Sequence, residues 1–508
     1  MIFNSVEYLL YFPIVAVVYF LLPKKLKNYW LLAASFFFYM SWNKAYGLLL
    51  AASILVTYLS ALVVESCRTK GNQKGAKAAM LASLFLNLGA LAWFKYLGFL
   101  GQNVNFLLGL LGKKAVTIPD ILLPVGISFY IFQALGYSLD VYFGKIRAER
   151  NLFFYALFVS FFPQLVAGPI ERSRNLLPQF YEAHTFEVTR VKRGLLMMLW
   201  GLFMKMVIAD RLSLIITAVY GEYLAYNGVE LFLATALFCI QIYCDFAGYS
   251  YLAIGSAGVL GFRLMDNFRQ PFLTTSIHGH WSRWHISLTG WFRDYLYIPL
   301  GGNRKGRARK LLNTMVIFLV SGLWHGARWN YVIWGALHGA YMVIEELLGI
   351  GVRKKDAGKK AETADQETET KKGGQIGEML WAIARGIFTY LLITFGFLIF
   401  RSETMSQVVG ILRQSKANPG LGQIASSFRH LAALGNLDPV ALVFFVGAIL
   451  LLLLVDLYEK PGRDMKAFVL AKPKVVRWCV YLGLLLWILL FGIYGHDYTQ
   501  TEFIYFQF

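Results

Sequence analysis

Long apolar runs separated by short basic loops fill most of this chain, and a run of about 17–25 residues can span a bilayer as a helix. Nothing in the pattern has the period-two alternation of a β-barrel. Backbone polar groups in lipid must be satisfied within each segment, so the pattern predicts an all-α polytopic membrane protein. The first run, Val6–Leu22, has no basic residue before it and is followed by Pro23-Lys24-Lys25-Leu26-Lys27. A cleaved signal would carry its charge on the other side, so this run reads as a retained helix with its N-terminus outside. From there the loops alternate consistently: basic Arg68–Lys77 inside, charge-poor Gly101–Pro119 outside, basic Lys145–Arg150 inside.

Two stretches break the pattern. Phe161–Ile170 and Asn313–Gly326 carry Pro or Gly within short apolar sequence, which predicts re-entrant or interrupted helices packed inside protein. The basic loop Arg304–Lys310 follows the inside rule, and Val352–Gly374 is rich in Lys, Glu, Thr and Ala with too few apolar residues to pack. The expected division is therefore a transmembrane core over 1–350, a disordered cytoplasmic loop over 351–375, C-terminal transmembrane helices over 376–494 and an extracytoplasmic tail over 495–508. Spans near 376–402, 437–457 and 475–494 make up the third part. The basic stretch Glu459–Arg477 between the last two lies inside, which puts the tail outside.

Composition agrees: the 508 residues are 57% hydrophobic and only 15% charged, where a soluble domain is nearer one quarter charged. The net charge of +20 sits in loops between apolar runs, as topology requires, and offers no basic surface interleaved with aromatics for nucleic acid. The four cysteines, Cys67, Cys239, Cys244 and Cys479, include no CxxC pair and read as free core residues. Walker A and GxSxG sequences are absent. Gly255, Gly258 and Gly261 predict close helix packing in lipid rather than a nucleotide loop.

The candidate chemistry lies in Trp281–Gly302 and Ser321–Ala327, each with a Trp-His pair. An ionisable side chain at membrane depth is costly and usually lines a cavity or does chemistry. A neutral imidazole can take a proton from a hydroxyl as its oxygen attacks a carbonyl, then return it to the leaving group. His325, followed by Gly326, is the candidate base; His285, near Arg283, Ser287, Arg293 and Asp294, is the candidate for orientation or carbonyl polarisation. The competing reading makes both structural histidines bridging helices. His278 and His280 form an HxH pair that could bind metal with His285, but no cysteine or well-spaced carboxylate completes a site, so no metal is expected. His338 reads as structural; His184, His430 and His496 receive no role.

These motifs resemble the membrane-bound O-acyltransferase (MBOAT) superfamily, in its bacterial polysaccharide-modifying branch. Besides WHISLTGWFRDYLYIPLGG and GLWHGA, the resemblance includes Leu123–Tyr130 (LPVGISFY), Ser138–Tyr142 (SLDVY), Phe161–Ile170 (FFPQLVAGPI) and Gln241–Gly248 (QIYCDFAG). The resemblance implies a helical bundle around a funnel or tunnel, with the family's histidine falling on His325 and its second polar position on His285. His280 and Ser282 depart from it, standing where Phe and Arg are common. It further implies a multi-pass protein of the bacterial cell membrane that takes an acyl group from a thioester donor, most simply acetyl-CoA, with no bound cofactor. An extracytoplasmic SGNH-type or similar partner would pass the group to a polysaccharide. The tail Phe503–Phe508 resembles a motif whose tyrosine has been proposed as an acyl relay; Tyr505 holds that place here, the alternative being an aromatic interface anchor. D-alanyl transfer from a carrier-protein thioester to teichoic acid is the alternative within the family. A transporter or flippase is the alternative outside it, though neither inverted repeats nor paired broken helices favour that reading.

Overall fold

The structure, a computed structural model, describes residues 1–119, 121–166, 168–350, 372–460 and 462–494. Among these residues helix is the only extended regular structure. Among the described residues, six helices are long and apolar enough to cross a membrane: Lys44–Thr69, Gln73–Leu110, Gly228–Leu260, Gly377–Arg401, Pro439–Tyr458 and Lys474–Phe491. Large apolar side chains point outward in files, such as Leu10, Ile14, Val17 and Leu21 on the first helix, each more than half exposed. Such surface is stable only against lipid. The disordered loop expected at 351–375 lies outside the described residues as far as 371, and a helix runs from Lys372 to Arg401. The tail 495–508 lies outside them altogether.

The axis of the bundle is Gly228–Leu260, 33 residues long and buried on nearly all sides, as expected of a helix apolar all round. Its start is closed by a capping box between Asn227 and Glu230, and its end by Gly261 at φ 110°, a left-handed conformation suited to glycine. The helix Val188–Leu202 lies antiparallel against it through two glycine pairs one heptad apart. A Cβ on Gly194 would stand 2.7 Å from the Gly255 carbonyl oxygen, and one on Gly201 2.6 Å from that of Gly248. Small residues thus bring the two backbones into contact. Of the three glycines expected to do this, Gly255 does; Gly258 faces open space and Gly261 serves the C-cap.

Beyond this pair, Lys205 reaches Asp210 Oδ1 at 2.7 Å and Asp245 Oδ1 at 2.6 Å, all three side chains almost wholly buried. Charges taken out of water persist only when paired, so this cluster ties the π-helical turn Phe203–Ala209 to the axial helix.

The two stretches expected to be interrupted differ. Phe161–Ile170 is broken: helix Leu152–Ser160 stops, Phe162–Leu165 makes a single turn, and the described residues 168–172 ahead of Ser173 are non-helical. Asn313–Gly326 is not: one helix runs from Arg307 to His325. Glycine there serves packing, since a Cβ on Gly322 would collide with the Tyr331 carbonyl and one on Gly335 with that of Phe318. The helix Trp329–Leu347 can therefore fold back directly on Arg307–His325.

Gly248→Ala and Gly258→Ala separate packing from helix propensity. The first should lower stability by about 1–3 kcal/mol through forced separation of backbones. The second should be neutral or stabilising by up to about 1 kcal/mol. Thermal unfolding of the detergent-solubilised variants measures both.

Candidate active site

His325 is the last residue of Arg307–His325. Beyond it Gly326 is extended, and its lack of a side chain makes room for the Tyr331 ring. A helix ending inside a bundle leaves carbonyls without amide partners. Here the Leu323 carbonyl accepts from Tyr96 Oη at 2.8 Å, and those of Trp324 and His325 accept from Lys95 Nζ at 2.7 and 3.1 Å. The His325 ring is walled by Trp324, Trp334 and Phe400, with ring centroids 5.1, 5.0 and 5.5 Å away.

His285 is placed by strain and by one amide. It has φ 44° and ψ 51°, left-handed for a residue with a side chain, immediately before the short helix Ile286–Phe292. Asn267 holds that bend: its carbonyl oxygen accepts from Ile286 N at 2.9 Å, and its Oδ1 takes His285 Nδ1 at 3.1 Å and Ser287 Oγ at 2.9 Å. Because Oδ1 accepts, the neutral ring carries its proton on Nδ1 and its lone pair on Nε2. Phe129 stacks beside the ring and Phe246 meets it edge-on, centroids 6.3 and 4.7 Å away.

Both histidines line one cavity of about 530 Å³, together with Arg172, Arg174, Arg293 and Ser321. A second, of about 780 Å³, adjoins it through shared lining at Ser282, Thr289, Arg293 and Phe318, and adds Arg283 and Lys310. Asp294 lies between two of these cations, at 3.2 Å from Arg172 and 3.0 Å from Arg293. In the basic stretch Arg304–Lys310, whose last four residues open the helix Arg307–His325, Lys310 pairs with Glu346 at 2.6 Å and Arg307 donates to the carbonyls of Glu346 and Leu347.

The other histidines separate from this pair. His280 is buried, its Nδ1 2.9 Å from the Pro271 carbonyl, while His278 lies on the cavity walls with its amide bonded to Glu345. Among the described residues no group of three or more metal-ligating side chains converges. His338 Nδ1 accepts from Trp281 Nε1 at 3.4 Å; His184 meets the Gln179 carbonyl and His430 meets Glu230. Tyr505 and His496 lie outside the described residues.

Three of the separated sequence blocks meet here: LPVGISFY supplies Phe129 and QIYCDFAG supplies Phe246 beside His285, and FFPQLVAGPI ends two residues before Arg172. Asp140 of SLDVY pairs instead with Lys145 at 3.3 Å, and Asp245 of QIYCDFAG with Lys205. Sequence reasoning missed Asn267, Arg172 and Lys95. Only Lys95 carried a signal, as an ionisable residue within the apolar stretch 90–111. Asn267 and Arg172 lie in loops whose approach to the site only folding creates.

A model of the MBOAT, membrane-bound O-acyltransferase, family matches residues 145–363. The chain is 36% identical over 406 residues to the probable alginate O-acetylase AlgI of Pseudomonas putida, covering 80% of this chain and 78% of that protein. It is 32% identical over 386 residues to the peptidoglycan O-acetyltransferase of Helicobacter pylori, covering 70% and 72%. To the teichoic acid D-alanyltransferase of Streptococcus thermophilus it is 26% identical over 352 residues, covering 63% and 82%.

Replacing Asn267 by Leu leaves the His285 and Ser287 donors buried without an acceptor. Thermal unfolding should register a loss of about 2 kcal/mol or more. Asn267→Asp, which keeps the acceptor, should lose less.

Proposed function

The chain belongs to the membrane-bound O-acyltransferase family, and from that premise we propose that it carries an acetyl group from cytoplasmic acetyl-CoA across the membrane for O-acylation of an extracytoplasmic polysaccharide. It is a multi-pass membrane acyltransferase; the donor, the direction of transfer and the residue roles are the proposal. One observation carries it: His285 and His325, forty residues apart in sequence, line a single cavity that also holds arginines. A thioester entering that cavity would meet cationic side chains suited to donor phosphates and an imidazole suited to proton transfer.

His325 is the base in this reading. It takes the proton of an attacking hydroxyl while that oxygen bonds to the thioester carbonyl carbon; the carbon–sulfur bond then breaks and the thiolate leaves with the proton. His285 assists by orientation. With its proton held on Nδ1 by Asn267, its Nε2 accepts a hydrogen bond, which fits alignment of the hydroxyl better than polarisation of the carbonyl. The first hydroxyl is that of Tyr505, on a tail that the loop charges put outside together with the N-terminus. A partner enzyme outside the membrane then esterifies the polysaccharide. The AlgI and peptidoglycan relatives are named for O-acetylation, which supports acetyl as the group carried. The D-alanyltransferase relatives keep D-alanine from a carrier-protein thioester as the second reading.

Peptide mass spectrometry after incubation with labelled acetyl-CoA tests this on wild type, His325→Ala and Tyr505→Phe. Acetyl should appear on the C-terminal peptide of wild type, fall at least about 100-fold in His325→Ala and vanish from that peptide in Tyr505→Phe. A folded His325→Ala protein with wild-type labelling refutes the mechanism, and labelling only with a D-alanyl carrier protein would establish the other donor.

A further inference from the structure

We propose that Lys95 is a positioning residue for His325, a role resting on the acyl-transfer reading above. Lys95 lies in the π-helical turn Ala92–Tyr96, within an apolar helical stretch reaching Leu110. A cation there is costly unless something at the same depth needs it. What needs it is the end of the His325 helix. Lys95 donates to the carbonyls of Trp324 and His325, and its neighbour Tyr96 donates to that of Leu323. Three consecutive carbonyls are thus held by two consecutive residues of one turn. π-helical turns recur at functional sites because they re-aim side chains without ending the helix. An ammonium also suits the negative end of the helix dipole, and its rigid partner is the very residue whose ring must meet substrate.

The cavities argue that Lys95 acts through backbone rather than by touching the donor. His325 lines the cavity of about 530 Å³ and Lys95 does not. Lys95 borders a separate small cavity of about 30 Å³ formed with Leu123–Phe129, Val166 and Trp324. Trp324 and His325 therefore face different cavities although they are adjacent in sequence, and Lys95 holds the carbonyls of both. Loss of that hold would let the last turn rotate and move the imidazole while leaving the donor cavity intact.

Full-length wild type, Lys95→Met and Lys95→Arg should be compared by acetyl-CoA-dependent acetylation kinetics, thermal unfolding and amide hydrogen exchange of peptides spanning 321–328. Lys95→Met should lower kcat by about 100-fold, the loss associated with an error of about 1 Å in placing a catalytic group. KM for acetyl-CoA should stay within about twofold, as expected when ground-state binding is untouched. Exchange should quicken at 321–328 without a general loss of stability, and Lys95→Arg, which keeps charge and donors, should recover most of kcat. Wild-type kcat in Lys95→Met overturns the proposal. So does a joint change of KM, kcat and melting temperature that Lys95→Arg fails to rescue, the signature of a structural cap. The exchange measurement needs no donor: if wild type transfers no acetyl, the acetyl-CoA reading fails, while faster exchange confined to 321–328 still upholds Lys95 as the residue that positions His325, and unchanged exchange overturns it.

Discussion

A helix that ends away from water must find partners for its last carbonyls, and in this protein that constraint decides where the candidate base stands. In lipid or in a dry bundle an orphan carbonyl costs several kcal/mol. The Arg307–His325 helix nevertheless stops within the bundle, because Gly326 turns extended and Tyr331 occupies the space a side chain would have filled. Its terminal carbonyls are met from another helix by Lys95 and Tyr96. The histidine is consequently fixed from both sides, by its own helix hairpin and by a cation from the N-terminal part of the chain.

The same demand for satisfaction explains the charges elsewhere in the bundle. Lys205 joins Asp210 and Asp245, and Asp294 lies between Arg172 and Arg293. Among the described residues there are three π-helical turns, and each carries charged residues of this kind: Lys95, Lys205, and Arg293 with Asp294. A widened turn changes the direction of one or two side chains at little cost to the helix, which is what a buried ion needs in order to meet a partner on another element.

Glycine supplies the complementary device. Where backbones touch, at Gly194 with Gly255 and Gly201 with Gly248, the axial helix is held against its neighbour. Where they touch at Gly322 and Gly335, the hairpin bearing His325 closes. Polar side chains then need only short reaches, and an aromatic wall of Phe129, Phe246, Trp324, Trp334 and Phe400 fills what remains.

Much was legible in the chain before folding. Apolar run length sets bilayer-spanning helices by itself, since a segment in lipid has no alternative to internal hydrogen bonding. A histidine beside apolar sequence is a candidate because its burial needs a reason, and His285 and His325 both line one cavity. Other features depended on contacts between distant segments. The break expected within 313–326 became a continuous helix because Gly322 met Tyr331 rather than bending its own backbone. Asn267 and Arg172 gained their places through loops with no periodic signal, and Lys95 gained its partners 229 and 230 residues away. Sequence alone determined what had to be buried and which residues were chemically able to act. The tertiary structure decided which of them face one cavity, because hydrogen bonds to orphan carbonyls and contacts between glycine backbones exist only once the helices have met.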